Sequence, residues 1–404
     1  MLSVEEYLER VLGLASLLPS EATPVGEGRG RVLTEDLTAR VAVPPFDNSA
    51  MDGFAVRAED ALAGRSLRVV GDIPAGATST PTVGPGEAAR IMTGAPMPPG
   101  ADAVVPVEAT DQPMGAAPLP AAVLVTEAAT LGRHVRRAGE DVRAGDVVLP
   151  AGTVWGPEAA SAAASIGYGE VPLRRRPRVA VLSTGSELAA AGQPLGFGQI
   201  PDSNSILLAG LVERFGGTVV LRRSVPDDGA EFSRVLTVAT AAADVVVTSG
   251  GVSVGAFEVV RQVVEGDIEF VKVAMQPGKP QAGGRLAAPD GRGVAFLGLP
   301  GNPVSVFVSA YAFLRPLIAA FQGMPTTWEA EQWPVAEGWR SPPGRRQYTP
   351  VRIVDGAVRP AHRLGSGSHL VASLHLADGL AVVGEDVGEV QPGAVVAVHR
   401  TRPV

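Results

Sequence analysis

The sequence of 404 residues contains no cysteine, and this absence removes several kinds of chemistry at once. Without thiols the chain forms no disulfide, no cysteine-based zinc site and no thiolate nucleophile. Histidine is also scarce, with five residues whose spacing does not suit a shared metal ion: His134, His362, His369, His375 and His399. The chain further lacks a run of about 18 uninterrupted apolar residues, so the sequence predicts no membrane-spanning helix.

Positive charge is not in excess, since 34 lysine and arginine residues are set against 42 aspartate and glutamate residues, for a net charge of −8. A general nucleic-acid binder usually carries a basic face, so we expect no nucleic acid partner. No glycine loop is followed by a P-loop lysine, and no strand is followed by G-x-G-x-x-G, which disfavours P-loop nucleoside triphosphatases and nicotinamide enzymes. The nucleophile elbow of a Ser–His–Asp hydrolase is missing as well.

The chain does contain ample apolar material and many turn residues. Hydrophobic residues make up 46% of it, enough for packed cores, and 49 glycines and 35 prolines are spread along its length. At about 100–200 residues per domain, the length allows two to four domains. Near the start, Ser3 and Glu6 fit a capping box ahead of apolar residues at helical spacing. This first predicted helix begins with acidic residues, unlike a signal peptide.

The composition changes three times along the chain. Residues 55–138 consist of short valine-rich runs between turns, which predicts a small all-β module. Residues 178–322 alternate strands and helices, which predicts a mostly parallel sheet with helices on both faces. Residues 324–343 are rich in Trp, Pro and Glu and are interpreted as a linker. From Arg345 onward we expect a second β module, with Asp355-Gly356 as a hairpin turn.

Polar and glycine residues follow the strands predicted for the middle segment, which are 179–183, 218–225, 244–248, 269–274 and 294–297. Three of the loops are residues 183–185, 248–255 and 299–303. Because ligands of such sheets bind at the carboxyl ends of the strands, we expect these loops to form one crevice. Glycines let backbone N–H groups approach phosphate oxygens, and a following helix turns its positive end toward them. Asn302 and Pro303 suit the start of such a helix.

Acidic residues follow the same strand ends: Glu187, Asp227, Asp228 and Glu258. Oxygen ligands beside phosphate loops are what Mg²⁺ requires, and Lys272 and Lys279 can supply compensating positive charge. For any single acid the simpler interpretation is a carboxylate at a helix start, stabilised by the helix dipole. For the set as a whole we favour metal and phosphate binding.

Eight motifs then occur in an order that resembles one known family: PPFDNSAMDGFAV, RIMTGAPMPPGADAVV, GEDVRAGDVVLPAGT, VAVLSTGSEL, DSNS, TSGGVSVG, QPGKP and GLPGNPVS. The sequence is similar to the molybdopterin molybdenumtransferases, the bacterial MoeA family, which is related to the plant Cnx E domain and the gephyrin E domain. The resemblance covers nearly the whole chain. Two of the motifs, STGSEL and SGGVSVG, also occur in adenylyltransferase relatives that share the sheet.

The resemblance implies a multidomain α+β fold with a central doubly wound α/β domain, an inserted β domain and a C-terminal β-barrel. The implied domains are residues 1–45 with 140–176, 46–139, 177–325 and 332–404. Family members insert molybdate into adenylylated molybdopterin, with Mg²⁺-dependent release of AMP, to give molybdenum cofactor. They are cytoplasmic homodimers whose cleft lies between subunits, and other cofactor-synthesis proteins are possible partners.

The site residues implied by the resemblance fall into four groups. Catalytic roles fall to Asp52, Thr93 and Asp141, reaching the cleft from the partner subunit, and to Glu187, Asp228 and Lys272. The pterin and nucleotide would bind Ser183, Thr184, Gly185, Ser249, Gly250, Gly251, Ser253, Gly278, Pro300, Gly301, Asn302 and Ser305. Molybdate would bind Lys279, Arg346 and Ser366. Mg²⁺ would bind Glu187, Asp228 and Glu258.

Two positions depart from the family pattern. Glu258 stands where members often have aspartate, which keeps the charge on a longer side chain. Gln276 stands where some members have lysine, so one positive contact to the oxyanion is expected to be lost.

Two other functions stay open at this stage. One is a scaffold that binds a partner protein through a gephyrin-like E domain, although such scaffolds carry an adenylyltransferase domain and a long linker ahead of it. The other is adenylylation of molybdopterin, against which the extra β modules argue.

Overall fold

The computed structural model describes residues 1–252, 259–264, 268–363 and 367–402. The chain divides into two compact units. The large unit comprises Met1–Glu21, Gly30–Val32 and Leu173–Val404, and the small unit comprises Ala22–Arg29 and Leu33–Pro172. The finer division into four domains remains a prediction.

The elements of the first 174 residues are mostly short strands. They are α1 Val4–Leu12, β1 Ser20–Pro24, β2 Leu37–Thr38, β3 Asn48–Ser49, β4 Gly53–Val56, β5 Ser66–Ile73, β6 Glu87–Ile91, β7 Ala103–Pro106, a 3₁₀ turn Val107–Ala109, β8 Ala122–Leu124, β9 Val135–Arg136, β10 Val147–Leu149, α2 Pro157–Ser165 and β11 Glu170–Arg174. The capping box of α1 is confirmed, because Glu6 N–H donates to Ser3 Oγ at 3.0 Å and Ser3 N–H donates to Glu6 Oε2 at 2.7 Å.

The small unit is built around a five-stranded sheet in the order β7-β4-β6-β5-β8. Apolar residues from its strands, among them Phe54 and Val105, are buried in one core. The prediction of a β-rich module is therefore confirmed for this stretch. Short two-stranded ladders, β3 with β9 and β2 with β10, hold the loops outside the sheet.

The remaining elements alternate strands and helices and then become all strand. They are β12 Arg178–Thr184, β13 Leu188–Ala189, β14 Ile200–Pro201, α3 Asn204–Arg214, β15 Thr218–Val225, α4 Gly229–Ala242, β16 Val245–Ser249, α5 Val259–Val263, β17 Ile268–Lys272, β18 Met275–Gln276, β19 Pro280–Ala287, β20 Gly293–Leu299, α6 Pro303–Ser309, a π-helical turn Ala310–Leu314, α7 Arg315–Gln322, β21 Glu331–Pro334, β22 Trp339–Arg340, β23 Arg346–Val354, β24 Ala357–Pro360, a 3₁₀ turn Val371–Leu376, β25 Gly379–Val383, β26 Glu389–Val390 and β27 Val395–Arg400.

A six-stranded sheet forms the centre of the large unit, in the order β15-β12-β16-β20-β19-β17. Its first four strands are parallel, so the prediction of a mostly parallel sheet is confirmed. Along β12 the residues alternate between two cores: Val179 and Val181 face α1, α3, α6 and α7, whereas Ala180 and Leu182 face α4 and α5. This alternation is what a strand covered by helices on both faces requires.

Two predictions about this part of the chain were wrong. The prediction placed no strand between residues 274 and 294, but β19 pairs there antiparallel with both β17 and β20. Its sequence PQAGGRLA has small residues where a strand usually has branched ones, which hid it. Residues 324–343 are not a plain linker, because β21 and β22 lie within them.

The last part of the chain forms a sheet in the order β18-β23-β25-β27-β21, and β24 pairs with the later residues of β23, Val351–Val354, whereas β18 pairs with its first two. The hairpin turn between β23 and β24 is confirmed: Asp355 has φ 52° and Gly356 has φ 77°. A two-residue turn with both φ values positive matches the twist of the strands it joins.

The segment Pro303–Gln322 is long and apolar enough to cross a membrane by length and composition. However, 83% of its most apolar stretch is buried inside the protein, where it packs against the central sheet. It is therefore a core helix of the large unit.

Candidate active site

A cavity of about 470 Å³ lies at the carboxyl ends of β12, β16 and β20, and we call it the strand-tip cavity. The three strands run in register, so their loops leave the sheet at the same level. Ten of the residues predicted to bind or act on a ligand line it: Thr184, Gly185, Glu187, Ser249, Gly250, Gly251, Pro300, Gly301, Asn302 and Ser305. The structure thus brings the three glycine-containing loops together at one place.

The glycine loop after β16 lies against its neighbours so closely that larger residues do not fit. Gly250 has φ 92° and Gly251 has φ 70°, values that favour glycine. A Cβ atom on Gly251 would lie 2.3 Å from Val260 Cγ2, and one on Gly250 would lie 2.7 Å from Thr184 O. Ser253 and Glu258, predicted further along this loop, lie outside the described residues.

Several buried polar atoms around this cavity have no partner within the described part of the chain. They include Ser249 Oγ and Asn204 Oδ1, and both residues line the cavity. Ser249 is only 2% exposed, and the Asn204 amide donates to Gly301 O at 2.6 Å. Buried polar groups normally have partners. These atoms are therefore available to a polar ligand.

Of the neighbouring acids predicted from the sequence, Glu187 and Asp227 line the cavity. Asp228 caps α4 instead, with its Oδ1 accepting from Glu231 N–H at 2.8 Å. Asp227 joins two loops: its Oδ2 accepts from Ser186 N–H and its own N–H donates to Ser186 Oγ, both at 3.0 Å. The geometry favours Asp227 over Asp228 as the acid that meets a ligand. Among the described residues, no three carboxylates or histidines come close enough to form a ready metal site.

Asp202 is a cavity residue that sequence reasoning did not select. Burial raises its pKa, but hydrogen bonds from Ser224, the Ser205 N–H and Ser183 outweigh this, so its pKa lies below the usual value. Ser183, predicted to bind a ligand, is fully buried and donates to Asp202 Oδ1 at 3.1 Å. The DSNS motif, whose last two residues begin α3, was the signal available in the sequence.

A second cavity, of about 1180 Å³, adjoins the first, and we call it the basic cavity. Four cationic side chains and two acidic ones line it: Lys279, Arg340, Arg345, Arg363, Glu337 and Glu389. Gly278 lines it as well. Pro280 and Ser305 line both cavities, so the two share a wall.

Three predicted residues are placed differently from the rest. Arg346 forms ion pairs with Glu5 and Glu385, and its neighbour Arg345 is the one that lines the basic cavity. Lys272 ends β17, is exposed, and is not among the described residues that line either cavity. Ser366 lies outside the described residues.

In the small unit, Asp52 and Thr93 are joined by two hydrogen bonds. Asp52 Oδ1 accepts from Thr93 N–H at 2.6 Å and from Thr93 Oγ1 at 2.9 Å. These two bonds, the backbone one first, lower the pKa of Asp52 below its usual value. The carboxylate therefore stays ionised and exposed at the surface of this unit.

The segment around Asp141 forms hydrogen bonds with the segment that leads to Asp52. Asp141 N–H donates to Val43 O at 3.0 Å. Asp47 accepts from Arg137 Nη1 at 2.7 Å and from Ala138 N–H at 2.8 Å. The small unit thus connects the three loops that carry Asp52, Thr93 and Asp141.

Comparison with known proteins covers the whole chain. Residues 2–167 match the MoeA N-terminal region (domain I and II), residues 180–320 match a probable molybdopterin binding domain, and residues 332–400 match the MoeA C-terminal region (domain IV). Molybdopterin molybdenumtransferase 2 of Mycobacterium tuberculosis is 42% identical, over 98% of this chain and 99% of that protein. Molybdopterin molybdenumtransferase of Haemophilus influenzae is 35% identical, over 92% of each chain.

Solved structures that resemble this chain come from the same family as these relatives. A molybdopterin biosynthesis MoeA protein from Pyrococcus horikoshii has a TM-score of 0.84 and 30% identity, covering 100% of both chains. Another molybdopterin biosynthesis MoeA structure from Pyrococcus horikoshii has a TM-score of 0.78 and 28% identity, covering 99% of this chain and 100% of that chain. These likenesses confirm the predicted fold class. The chain therefore belongs to the MoeA family of molybdopterin molybdenumtransferases.

Proposed function

We propose that this protein is a transferase that inserts molybdenum from molybdate into molybdopterin. The observation that carries the proposal is the wall, formed by Pro280 and Ser305, that the strand-tip cavity and the basic cavity share. The strand-tip cavity offers amide groups and hydroxyls to a large polar ligand. The basic cavity offers positive charge to a small anion, and the two ligands would meet at the shared wall. The names of the relatives support the same reaction.

The pterin substrate is proposed to be adenylylated molybdopterin, which releases AMP when its phosphoanhydride bond is broken. Negative charge builds up on the phosphate oxygens as that bond breaks, so hydrogen-bond donors aimed at them lower the barrier. The glycine loop at Gly250 and Gly251 and the unpartnered Ser249 Oγ are suited to this.

Mg²⁺ is proposed as the metal of this reaction. Magnesium usually binds through one or two carboxylates plus the phosphates of a substrate, and does not need an all-protein cage. Glu187 and Asp227, both lining the strand-tip cavity, fit that requirement. When bound, the ion would neutralise phosphate charge, while the two carboxylates hold its position. Glu258 is a further candidate, outside the described residues.

Molybdate is proposed to bind in the basic cavity, held by Lys279 and Arg345. The guanidinium group binds oxyanions in a two-pronged manner, and the ammonium group acts as a point charge. Glu337 and Glu389, which also line this cavity, would repel an anion and so restrict where it rests.

The remaining site residues are proposed from the resemblance. Asp52, Thr93 and Asp141 would complete the cleft of a second subunit in a homodimer. The bonded pair of Asp52 and Thr93 supports an ionised carboxylate in that role. The homodimer, the cytoplasmic location and contact with other cofactor-synthesis proteins remain predictions.

The decisive experiment incubates the protein with adenylylated molybdopterin, Mg²⁺ and molybdate, and follows AMP by chromatography. We expect AMP release that needs both the metal and molybdate, and loss of most of it in Asp227→Asn. The matched control is Asp290→Asn, an exposed acid in the turn after β19 that lines neither cavity. Absence of AMP from the unmodified protein would refute the proposal.

A further inference from the structure

Asp202 is a buried carboxylate with an unusual set of partners. It is 5% exposed and lies two residues before the first residue of α3. Its Oδ1 accepts from Ser183 Oγ at 3.1 Å and from Ser205 N–H at 3.0 Å, and its Oδ2 accepts from Ser224 Oγ. The three donors come from the end of β12, the start of α3 and the end of β15. One side chain therefore joins three elements at the carboxyl ends of the strands, where the strand-tip cavity lies.

All of these donors are neutral, and within the described part of the chain no ion pair is formed by Asp202. Burying a charge without an opposite charge is costly, so packing alone is a poor account of this residue. Burial raises its pKa, and the hydrogen bonds from Ser224, Ser205 and Ser183 more than reverse that effect. The group is an anion held in place by hydrogen bonds.

The two strands that Asp202 joins continue into the loops that carry the proposed metal ligands. Glu187 follows β12, and Asp227 follows β15. Farther out, Ser186 and Asp227 join the same two loops with a reciprocal pair of hydrogen bonds at 3.0 Å each. The loops are thus connected at two levels, with the buried level set by Asp202.

We propose that Asp202 is a positioning residue, which sets the spacing between Glu187 and Asp227 for the transfer reaction. This inference rests on the proposed function of the strand-tip cavity. Asp202 lines the cavity, but it acts by holding the loops, because Ser183, Ser205 and Ser224 take three of the roughly four acceptor sites on its two oxygens. Without the charge, the loops after β12 and β15 lose their common anchor and the two carboxylates move apart.

The test is Asp202→Asn, which keeps the shape of the side chain and removes its charge. Its control is Asp244→Asn, a second buried carboxylate next to the same sheet, just before the amino end of β16. Small misplacement of reacting groups costs up to about a hundredfold in rate. We expect Asp202→Asn to lower kcat for AMP release on the order of tenfold to a hundredfold, with KM for the pterin changed less than about twofold. High Mg²⁺ should restore part of the loss.

Asp244→Asn should lose stability but keep kcat, once both are measured where each variant is fully folded. Equal kcat in Asp202→Asn and the unmodified protein, or a loss that Asp244→Asn shares, would overturn the inference. If Asp202→Asn does not fold, Ser224→Ala removes one donor and keeps the charge. It should change kcat in the same direction by a smaller factor, and an unchanged kcat would count against the role.

Hydrogen exchange followed by mass spectrometry separates this inference from the proposed function. We expect peptides covering residues 184–188 and 224–228 to exchange faster in Asp202→Asn than in Asp244→Asn. If the unmodified protein releases no AMP, the proposed reaction fails, yet faster exchange in those peptides still supports Asp202 as the anchor. Equal exchange in both variants overturns the anchor whether or not AMP is released.

Discussion

Arg345 lies within hydrogen-bond distance of Gln276: its Nη1 donates to Gln276 Oε1 at 3.1 Å. Some family members have lysine where this chain has Gln276. The absence of that lysine is expected to remove one cation from the oxyanion site. The structure places a guanidinium beside this position, so positive charge is still present in the basic cavity. Gln276 orients that guanidinium through its carbonyl oxygen.

The first prediction concerns this pair. Arg345→Ala should raise the molybdate concentration needed for half-maximal AMP release on the order of tenfold, the cost of one lost charge-assisted contact. Adding Gln276→Lys to that variant should restore part of the affinity by returning a cation to the same place. Arg352→Ala, from β23 and outside the cavity, is the control. An unchanged molybdate requirement in Arg345→Ala would show that the cavity does not hold the anion.

The second prediction separates stability from chemistry at Asp228. Loss of the N-cap in Asp228→Ala should lower the free energy of unfolding of the large unit by about 1 kcal/mol. Asp228→Asn should not, because asparagine caps a helix about as well as aspartate. Urea denaturation followed by circular dichroism measures both. We expect the asparagine variant to keep most AMP release, and a large loss there would return the catalytic role to Asp228.

The third prediction concerns the acid of the small unit. Thr93→Val removes the hydroxyl that donates to Asp52 but keeps the backbone N–H, so the pKa of Asp52 should rise part of the way to its usual value. Any acid limb in the rate of AMP release that depends on Asp52 should move to higher pH in parallel. NMR titration of labelled aspartate carboxyls measures the shift. Thr126→Val, an exposed threonine of the same unit, should leave the Asp52 titration where it was.

The fourth prediction concerns how the free energy of unfolding depends on acid pH through Asp244, at the amino end of β16. Burial raises the pKa of Asp244, but hydrogen bonds from Arg175 and Arg178 bring it down to about 2. Because this pKa is lower in the folded than in the unfolded state, the stabilisation is complete above the usual value of 3.8 and is lost as pH falls toward 2. Near neutral pH it amounts to about 2 kcal/mol.

Urea denaturation of the unmodified protein and of Asp244→Asn between pH 7 and pH 3 tests this. The difference in unfolding free energy should stay constant down to about pH 4 and then narrow. A difference that does not depend on pH would mean that the ion pairs with Arg175 and Arg178 contribute nothing through the charge of Asp244.

Much of the fold followed from local patterns in the chain. The alternation of strands and helices between β12 and α7 depends on apolar periodicity, which is a property of neighbouring residues. The capping box at Ser3 and the turn at Asp355-Gly356 are equally local. The strand β19 escaped because its glycine-rich sequence lacks that periodicity, and it is a strand only because β17 and β20 pair with it.

The candidate site was also predicted in part from the sequence and decided in part by packing. The chain alone determined which loops follow the strands and which residue types they carry, since order along a parallel sheet sends those loops to one edge. Only the tertiary structure decided which of two neighbours meets a cavity. Asp227 lines the strand-tip cavity while Asp228 caps a helix. Arg345 lines the basic cavity while Arg346 pairs with Glu5. Adjacent residues point in different directions once the backbone is folded. Sequence proximity therefore selects a loop, and packing around that loop selects the side chain.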